Sequence, residues 1–353
     1  MNNIFTPTPE QFGVFWKYIC QPTITDIDYN GRELWITDYK NGRYKERVDI
    51  SDQFISAFVH NISNSVNKSF NNANKVLEAD TKELRISILH ESAAVSGISI
   101  CIRKSPALVR NTIDDMLKSG YCSSEILQLL INCVRTKMNF MFGGEPGAGK
   151  TECAKFFMQF IPADERVITI EDSLEIHYRD INPEADAVEI RVGADFSYTD
   201  AIKASLRMNP KWLVLSEARS TEVTSLLEAW STGVFGITTI HLDDVRKLAD
   251  RTLNMMDDVR DAARMENRIY RYVNVGVLIK RVKDKNGCTH RKLDQLCFYA
   301  REGRENKCYM IVDDGDIISK KLPEDILRQM AEAHIRDPFV CEDFDTLRKE
   351  NGK

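Results

Sequence analysis

The run Gly144-Glu145-Pro146-Gly147-Ala148-Gly149-Lys150-Thr151 matches the phosphate-binding pattern G-x-x-x-x-G-K-[ST] at every fixed position. Glycines let backbone N–H groups curl around an anion, and the helix after such a loop adds partial positive charge at its N-terminus. Lys150 would then reach the β- and γ-phosphates of ATP, and the Thr151 hydroxyl would ligate Mg2+. The motif carries this meaning only between a strand and a helix. Phe140-Met141-Phe142 supplies a short apolar run before it. Glu152 opens a run of helix formers after it, with Phe156, Phe157 and Phe160 on one side.

In a parallel sheet, ligands sit at the carboxyl ends of the strands. Three further strand ends carry polar groups here. Val167-Ile168-Thr169-Ile170 runs into Glu171-Asp172-Ser173-Leu174-Glu175, where Glu171 and Glu175 could hold Mg2+ or its waters, or orient an attacking water. A solvated acidic turn has the same composition. Trp212-Leu213-Val214-Leu215 ends in Ser216-Glu217 with Arg219 close behind, so Glu217 is placed to bind Mg2+ through water or to polarise the nucleophilic water. Ile237-Thr238-Thr239-Ile240 ends in His241, whose neutral imidazole could hydrogen-bond a γ-phosphate and report its loss; a surface or core histidine would read the same.

The elements that must position these residues follow from periodicity and punctuation. Thr8-Pro9-Glu10-Gln11 reads as an N-cap, a first-turn proline and an N3 glutamine, so a helix starts there. Asn30-Gly31 and Asn41-Gly42 separate three short runs of an antiparallel meander. Residues 51–77 read as a helix broken near Asn71-Asn72. Strict alternation over 84–88 and 98–102 predicts two strands, with Arg85 and Arg103 on one polar surface if they pair. Pro106 and Arg110-Asn111-Thr112 suggest a linker and a boundary near residue 108, and two helices over 112–118 and 123–137 lead into the phosphate-loop strand. Beyond the loop, strands at 167–170, 187–192, 212–215 and 237–240 alternate with helices at 199–208, 221–230 and 243–255, which predicts an α/β domain with a parallel central sheet. Residues 272–279, 291–299 and 307–312 read as antiparallel strands with turns at Asn286-Gly287 and Glu302-Gly303, and a last helix covers 323–334.

Composition sets the class. The 353 residues leave room for two or three domains. They are 43% hydrophobic and 29% charged, as in an ordinary soluble protein. A net charge of -5 gives no overall reason to expect nucleic-acid binding. No signal peptide is evident and no apolar run approaches the roughly 20 residues of a membrane span, so a cytoplasmic chain is expected. Nine cysteines without a C-x-x-C pair point to reduced thiols; Cys288, Cys297 and Cys308 crowd one region at spacings too wide to suggest zinc.

Taken together, the phosphate loop, Ile170-Glu171-Asp172-Ser173-Leu174-Glu175, Leu206-Arg207-Met208-Asn209-Pro210 leading into Leu213-Val214-Leu215-Ser216-Glu217-Ala218-Arg219, and Thr232-Gly233-Val234-Phe235-Gly236-Ile237-Thr238-Thr239-Ile240-His241 resemble, in order and spacing, the type II/type IV secretion ATPase superfamily. The matched segments correspond to that family's Walker A, Asp box, Walker B and His box, across roughly residues 85 to 245. The resemblance implies a RecA-like ATPase domain over 109–353 with a small C-terminal extension, preceded by a smaller α+β domain over 1–108. It implies His241 as a γ-phosphate sensor and Arg85, Arg103 and Arg219 as groups that neutralise phosphate charge. It further implies a homo-oligomer, hexameric in the family, that docks from the cytoplasmic face on an inner-membrane platform protein of a secretion, conjugation or pilus system. Two residues depart from the family pattern: Ser216 stands where Gly is usual before the Walker B glutamate, and Val234 replaces a His-box histidine. No paired C-x-x-C module is present, which favours the type IV secretion, conjugation or tight-adherence branch. A nucleotide-holding scaffold with negligible hydrolysis and a RecA-like DNA motor are the competing readings.

Overall fold

A computed structural model describes residues 4–256, 261–283 and 289–351. The turn expected at Asn286-Gly287, and Cys288, lie outside the described residues. Two compact units emerge: a smaller one up to Ala107 that also holds Ser173–Glu175, and a larger one that holds most of the rest.

The smaller unit is built on an antiparallel sheet of β1 (Ile24–Tyr29), β2 (Leu34–Asp38), β3 (Gly42–Glu46), β4 (Val76–Asp80), β5 (Leu84–Leu89) and β6 (Ser99–Lys104), in the order β3-β2-β1-β6-β5-β4. Alternation buries Leu84, Ile86 and Ile88 of β5 and Ile100 and Ile102 of β6 on one face. On that face packs the helix Asp52–Ser65, capped by Ser51, through Phe58 against Phe12 and Phe15. The strands of Arg85 and Arg103 do pair, and the two arginines stand directly opposite each other. Arg103 Nε also donates to Asp26 Oδ1 at 2.9 Å.

The N-terminal helix does start at Thr8, whose side chain accepts from Gln11 N; Gly13 at φ +47 interrupts it after Pro9–Phe12, and the chain goes on as a 3-10 turn over Gly13–Phe15 and a helix over Trp16–Ile19. One expectation for this unit needs correction: residues 76–80 form β4 rather than the end of a broken helix, with Leu77 and Ala79 buried and Val76 and Glu78 exposed, the period of a strand.

The larger unit is an α/β fold around a mixed sheet. Its strands are β7 (Phe140–Gly143), β8 (Val167–Glu171), β9 (Ala187–Arg191), β10 (Trp212–Ala218), β11 (Phe235–Ile240), β12 (Val275–Lys283), β13 (Thr289–Glu302), β14 (Glu305–Asp313) and β15 (Asp316–Ile317), in the order β15-β14-β13-β12-β7-β11-β10-β8-β9. Strands β12, β7, β11, β10, β8 and β9 run parallel. Near-continuous apolar runs make sense in strands covered on both faces. Phe140, Phe142, Trp212 and Val214 join one apolar cluster with Phe156 and Phe157, while Met141, Leu213 and Leu215 join the other with Leu226 and Leu227. Successive side chains therefore feed two helical layers.

Residues 272–279 are not confined to an antiparallel group, since β12 stands between β13 and β7. The helix Ala262–Tyr272, unforeseen because Ile269 is its one fully buried apolar residue, leads into β12, which pairs parallel with β7. Antiparallel pairing is seen for β13 with β14 and for β14 with β15. The helix Phe344–Asn351 was also not signalled. Among the described residues, no helix is long and apolar enough to cross a membrane.

Candidate functional site

The fixed glycines of the loop are demanded by its surroundings. Gly144 sits at φ +153, and a Cβ there would stand 2.6 Å from the Ile279 carbonyl oxygen of the neighbouring strand. Gly149, at φ +95, immediately precedes the helix Lys150–Met158. Strand, loop and helix thus stand in the order a phosphate cradle needs, with the helix N-terminus at the loop. Gly144→Ala should weaken ATP binding about tenfold or more, because a backbone clash of that kind costs about 1–3 kcal/mol. Calorimetric titration with ATP checks this, and unchanged affinity would mean the loop has room that the geometry denies.

Lys150 is 8% exposed, and its ammonium donates to the carbonyls of Gly144 at 3.1 Å and Glu145 at 3.3 Å. It also lies 3.2 Å from His241 Nδ1. That places the ring's acceptor at Nδ1 and its proton at Nε2, an assignment made from the partners. With its proton on Nε2, His241 faces Glu217 Oε1 at 2.7 Å. A buried carboxylate oxygen needs such a polar partner, and a second lone pair on Oε1 remains for a water or ligand group.

Glu217 Oε2 accepts from Arg219 Nε at 2.8 Å, and Arg219 Nη1 donates to Asp172 Oδ2 at 2.8 Å. Burial works to lower the pKa of the Arg219 guanidinium, but the bond to Glu217 and the charge of Asp172 outweigh it, and the net shift is upward. The turn carrying Arg219 is itself fixed, since Glu222 Oε1 accepts from the backbone N–H groups of Arg219 at 2.6 Å and Ser220 at 2.8 Å. A line of polar groups therefore runs from Lys150 through His241, Glu217 and Arg219 to Asp172, joining the loop to the ends of β11, β10 and β8.

Other expected residues take different places. Glu171 is 1% exposed and its Oε2 accepts from Ile176 N at 2.9 Å, so its carboxylate holds the acidic loop. Thr151 and Glu152 are half-buried in the first turn of the loop helix, with Glu152 Oε1 3.7 Å from the fully buried Lys155. Pro146, Gly147 and Ala148 complete the loop. Arg85, Arg103 and Glu175 belong to the smaller unit, where the Glu175 carbonyl accepts from Ser105 Oγ at 3.4 Å.

Sequence reasoning missed Asp172, Tyr198 and Glu222 as parts of the site. Tyr198 OH lies 3.1 Å from Ser216 Oγ and 3.3 Å from Asp172 Oδ1. Ser216, where glycine was expected, is thus used to hold Asp172 through Tyr198. Only the acidic box could have hinted at Asp172, and Tyr198 acts across 18 and 26 residues, which no local pattern spans; Glu222 is a local signal, three residues after Arg219 and two after Ser220.

A cleft of about 520 Å3 opens beside Gly144, Glu145 and Pro146 and is also lined by His241 and Arg251. Thr151, Glu171 and Glu217 offer the hard oxygen donors that Mg2+ takes, and Oε1 of Glu217 keeps a lone pair beyond its contact with His241 Nε2 for such an ion or its water. Among the described residues no group of three or more His, Cys, Asp or Glu could hold a metal by itself. That suits Mg2+, which is commonly shared between one or two protein groups and substrate phosphates.

A sequence profile of the type II/IV secretion system protein family matches residues 71–308. An uncharacterized protein of Bacillus anthracis is 30% identical over 306 residues, which are 83% of this chain and 68% of that protein. The type IV secretion system protein VirB11 of Brucella suis is 27% identical over 229 residues, 55% of this chain and 63% of its own length. Among solved structures, the Legionella pneumophila ATPase DotB aligns with a TM-score of 0.63 at 16% identity, over 82% of this chain and 83% of that one. The pilus retraction motor PilT with bound ADP aligns with a TM-score of 0.60 at 16% identity, over 92% and 86%. At such identities these structures speak for the fold.

Proposed function

The chain belongs to the type II/IV secretion system protein family, and on that premise we propose that it is an ATPase that couples Mg-ATP hydrolysis to movement between domains 1–108 and 109–353 in a hexameric ring. The ring works at the cytoplasmic face of the inner membrane, against a platform protein of a secretion, conjugation or pilus system, without entering the bilayer and without binding nucleic acid directly. The observation that carries this reading is the line from Lys150 to Asp172, which ties the phosphate loop to the Glu217 carboxylate at the end of β10.

Lys150 turns from the loop carbonyls to the β- and γ-phosphates, and the loop N–H groups take the oxygens between. Thr151, with Glu171 and Glu217 assisting, would hold Mg2+, which when bound would neutralise phosphate charge. Glu217 accepts a hydrogen bond from the attacking water through Oε1 and aligns it, while Arg219 fixes its other oxygen. His241 shares Lys150 with the γ-phosphate and Glu217 with the water, so loss of either phosphate or water alters its partners. Glu175 assists from the acidic box, and Arg85 and Arg103 neutralise charge building on the phosphates. Little covalent chemistry is asked of the protein; positioning and electrostatics carry the rate.

Sedimentation velocity of Glu217→Gln with Mg-ATP tests the ring. A single closed species of about six chains is expected, and monomer at every concentration would remove the ring from the account.

A further inference from the structure

Beyond the motif residues, two arginines flank the phosphate loop from the C-terminal side of the sheet. Strand β12 runs beside β7 in parallel, with Leu278 opposite Gly143, so the chain that follows passes along the loop. Arg281 Nη1 lies 3.8 Å from the position a Cβ on Gly147 would take. Arg291, on β13, reaches the same stretch: its Nη2 donates to the Gly147 carbonyl at 3.4 Å, and its Cδ and Nε lie 3.0 and 3.2 Å from where a Cβ on Gly149 would be. Any side chain at Gly149 would therefore displace Arg291. Neither guanidinium forms an ion pair with a carboxylate among the described residues.

Arg291 is half-buried and its pKa is lowered, first by burial and then by the charges of Arg110 and Arg281, with Tyr121 and Glu152 opposing. Like charges held together beside a glycine loop are disfavoured until an anion arrives. Guanidinium groups are also better suited than ammonium to the planar recognition of phosphate.

We propose that Arg281 and Arg291 form a second positive wall of the nucleotide site, stabilising the phosphate chain from the Gly147–Gly149 stretch of the loop, with Arg291 also holding the loop through the Gly147 carbonyl. This rests on the phosphate-loop reading above. Because their charge acts on the whole phosphate chain, the pair favours ADP and ATP over AMP, and it is a positioning device: it touches neither the water nor the γ-phosphate oxygen that Glu217 serves.

The test is calorimetric binding of ATP, ADP and AMP, with Mg2+, at two salt concentrations, to the wild type, Arg281→Ala, Arg291→Gln, Arg291→Lys and Lys150→Ala. Arg281→Ala and Arg291→Gln should each weaken ATP and ADP about tenfold, weaken AMP less, and flatten the salt dependence of ATP binding. Arg291→Lys, which keeps the charge, should recover most of the loss. ATP affinity within twofold of wild type in both neutral variants would overturn the proposal, as would an equal loss for all three nucleotides. Arg281 is exposed, so Arg281→Ala decides the matter even if Arg291→Gln fails to fold. Wild-type protein that ignores ATP, with Lys150→Ala no different, would instead sink the phosphate-loop reading itself; ATP binding lost in Lys150→Ala and kept in the two arginine variants would sink only the second wall.

Discussion

Glu217→Gln is expected to bind Mg-ATP with nearly wild-type affinity and to lose about a hundredfold or more in turnover, the usual scale for removing a group that handles the proton of a reacting water. The amide keeps the size of the carboxylate and one acceptor oxygen. It loses the charge that Oε1 presents beside His241 and the charge that Oε2 presents to Arg219. Arg219 keeps Asp172 as a partner, so the turn after β10 stays in place, and Glu222 continues to hold its backbone. Binding should survive because the loop and Lys150 are untouched. Steady-state phosphate release together with calorimetric ATP binding separates the two effects. Turnover within threefold of wild type would move the water-aligning role to Glu171 or Glu175.

Lys150→Ala should have the second large effect, abolishing ATP binding at working concentrations. A charge-assisted hydrogen bond to phosphate is worth about 1.5–3 kcal/mol, so removing this ammonium should cost about tenfold to a hundredfold or more in affinity. Its partners within the protein include the carbonyls of Gly144 and Glu145 and the imidazole of His241. Those three are uncharged groups that water can satisfy at the mouth of the cleft, so the thermal midpoint should fall by only a few degrees. Lys150→Met, which keeps the stem that fills the space under the loop, separates charge from packing: it should fail to bind ATP while melting like the wild type. ATP binding retained in both variants would remove Lys150 from the site.

What the sequence could and could not disclose follows from where the information sits. The phosphate loop and the strands ending in Glu171, Glu217 and His241 are local signals: a motif, or an apolar run that stops at a polar residue, and all these strands stand parallel in one sheet. That Arg85 and Arg103 would share a face if their strands paired was legible from the alternation, and the structure supplies the pairing itself. The parallel pairing of β12 with β7 was not legible, because the apolar run 275–279 reads the same beside a parallel or an antiparallel neighbour, and only the helix Ala262–Tyr272 returns the chain to the start of β12. Strand β4 was hidden by the asparagine-rich stretch before it, which left too few residues to establish a period. Within the site, Asp172 reaches Arg219 across 47 residues and Tyr198 reaches Ser216 across 18, contacts that exist only once β8 and β10 lie side by side. Arg281 and Arg291 carry no motif at all; their meaning comes from β12 lying next to the loop.

The most direct measurement of the central claim is phosphate release from Mg-ATP per chain, followed over a hundredfold range of protein concentration with Glu217→Gln alongside. A rate per chain that climbs with concentration to a plateau in the wild type, and stays at background in the variant, is the predicted result for active sites completed by assembly. A wild type that binds ATP yet releases no more phosphate than Glu217→Gln at any concentration would contradict it and leave a protein that holds nucleotide without spending it.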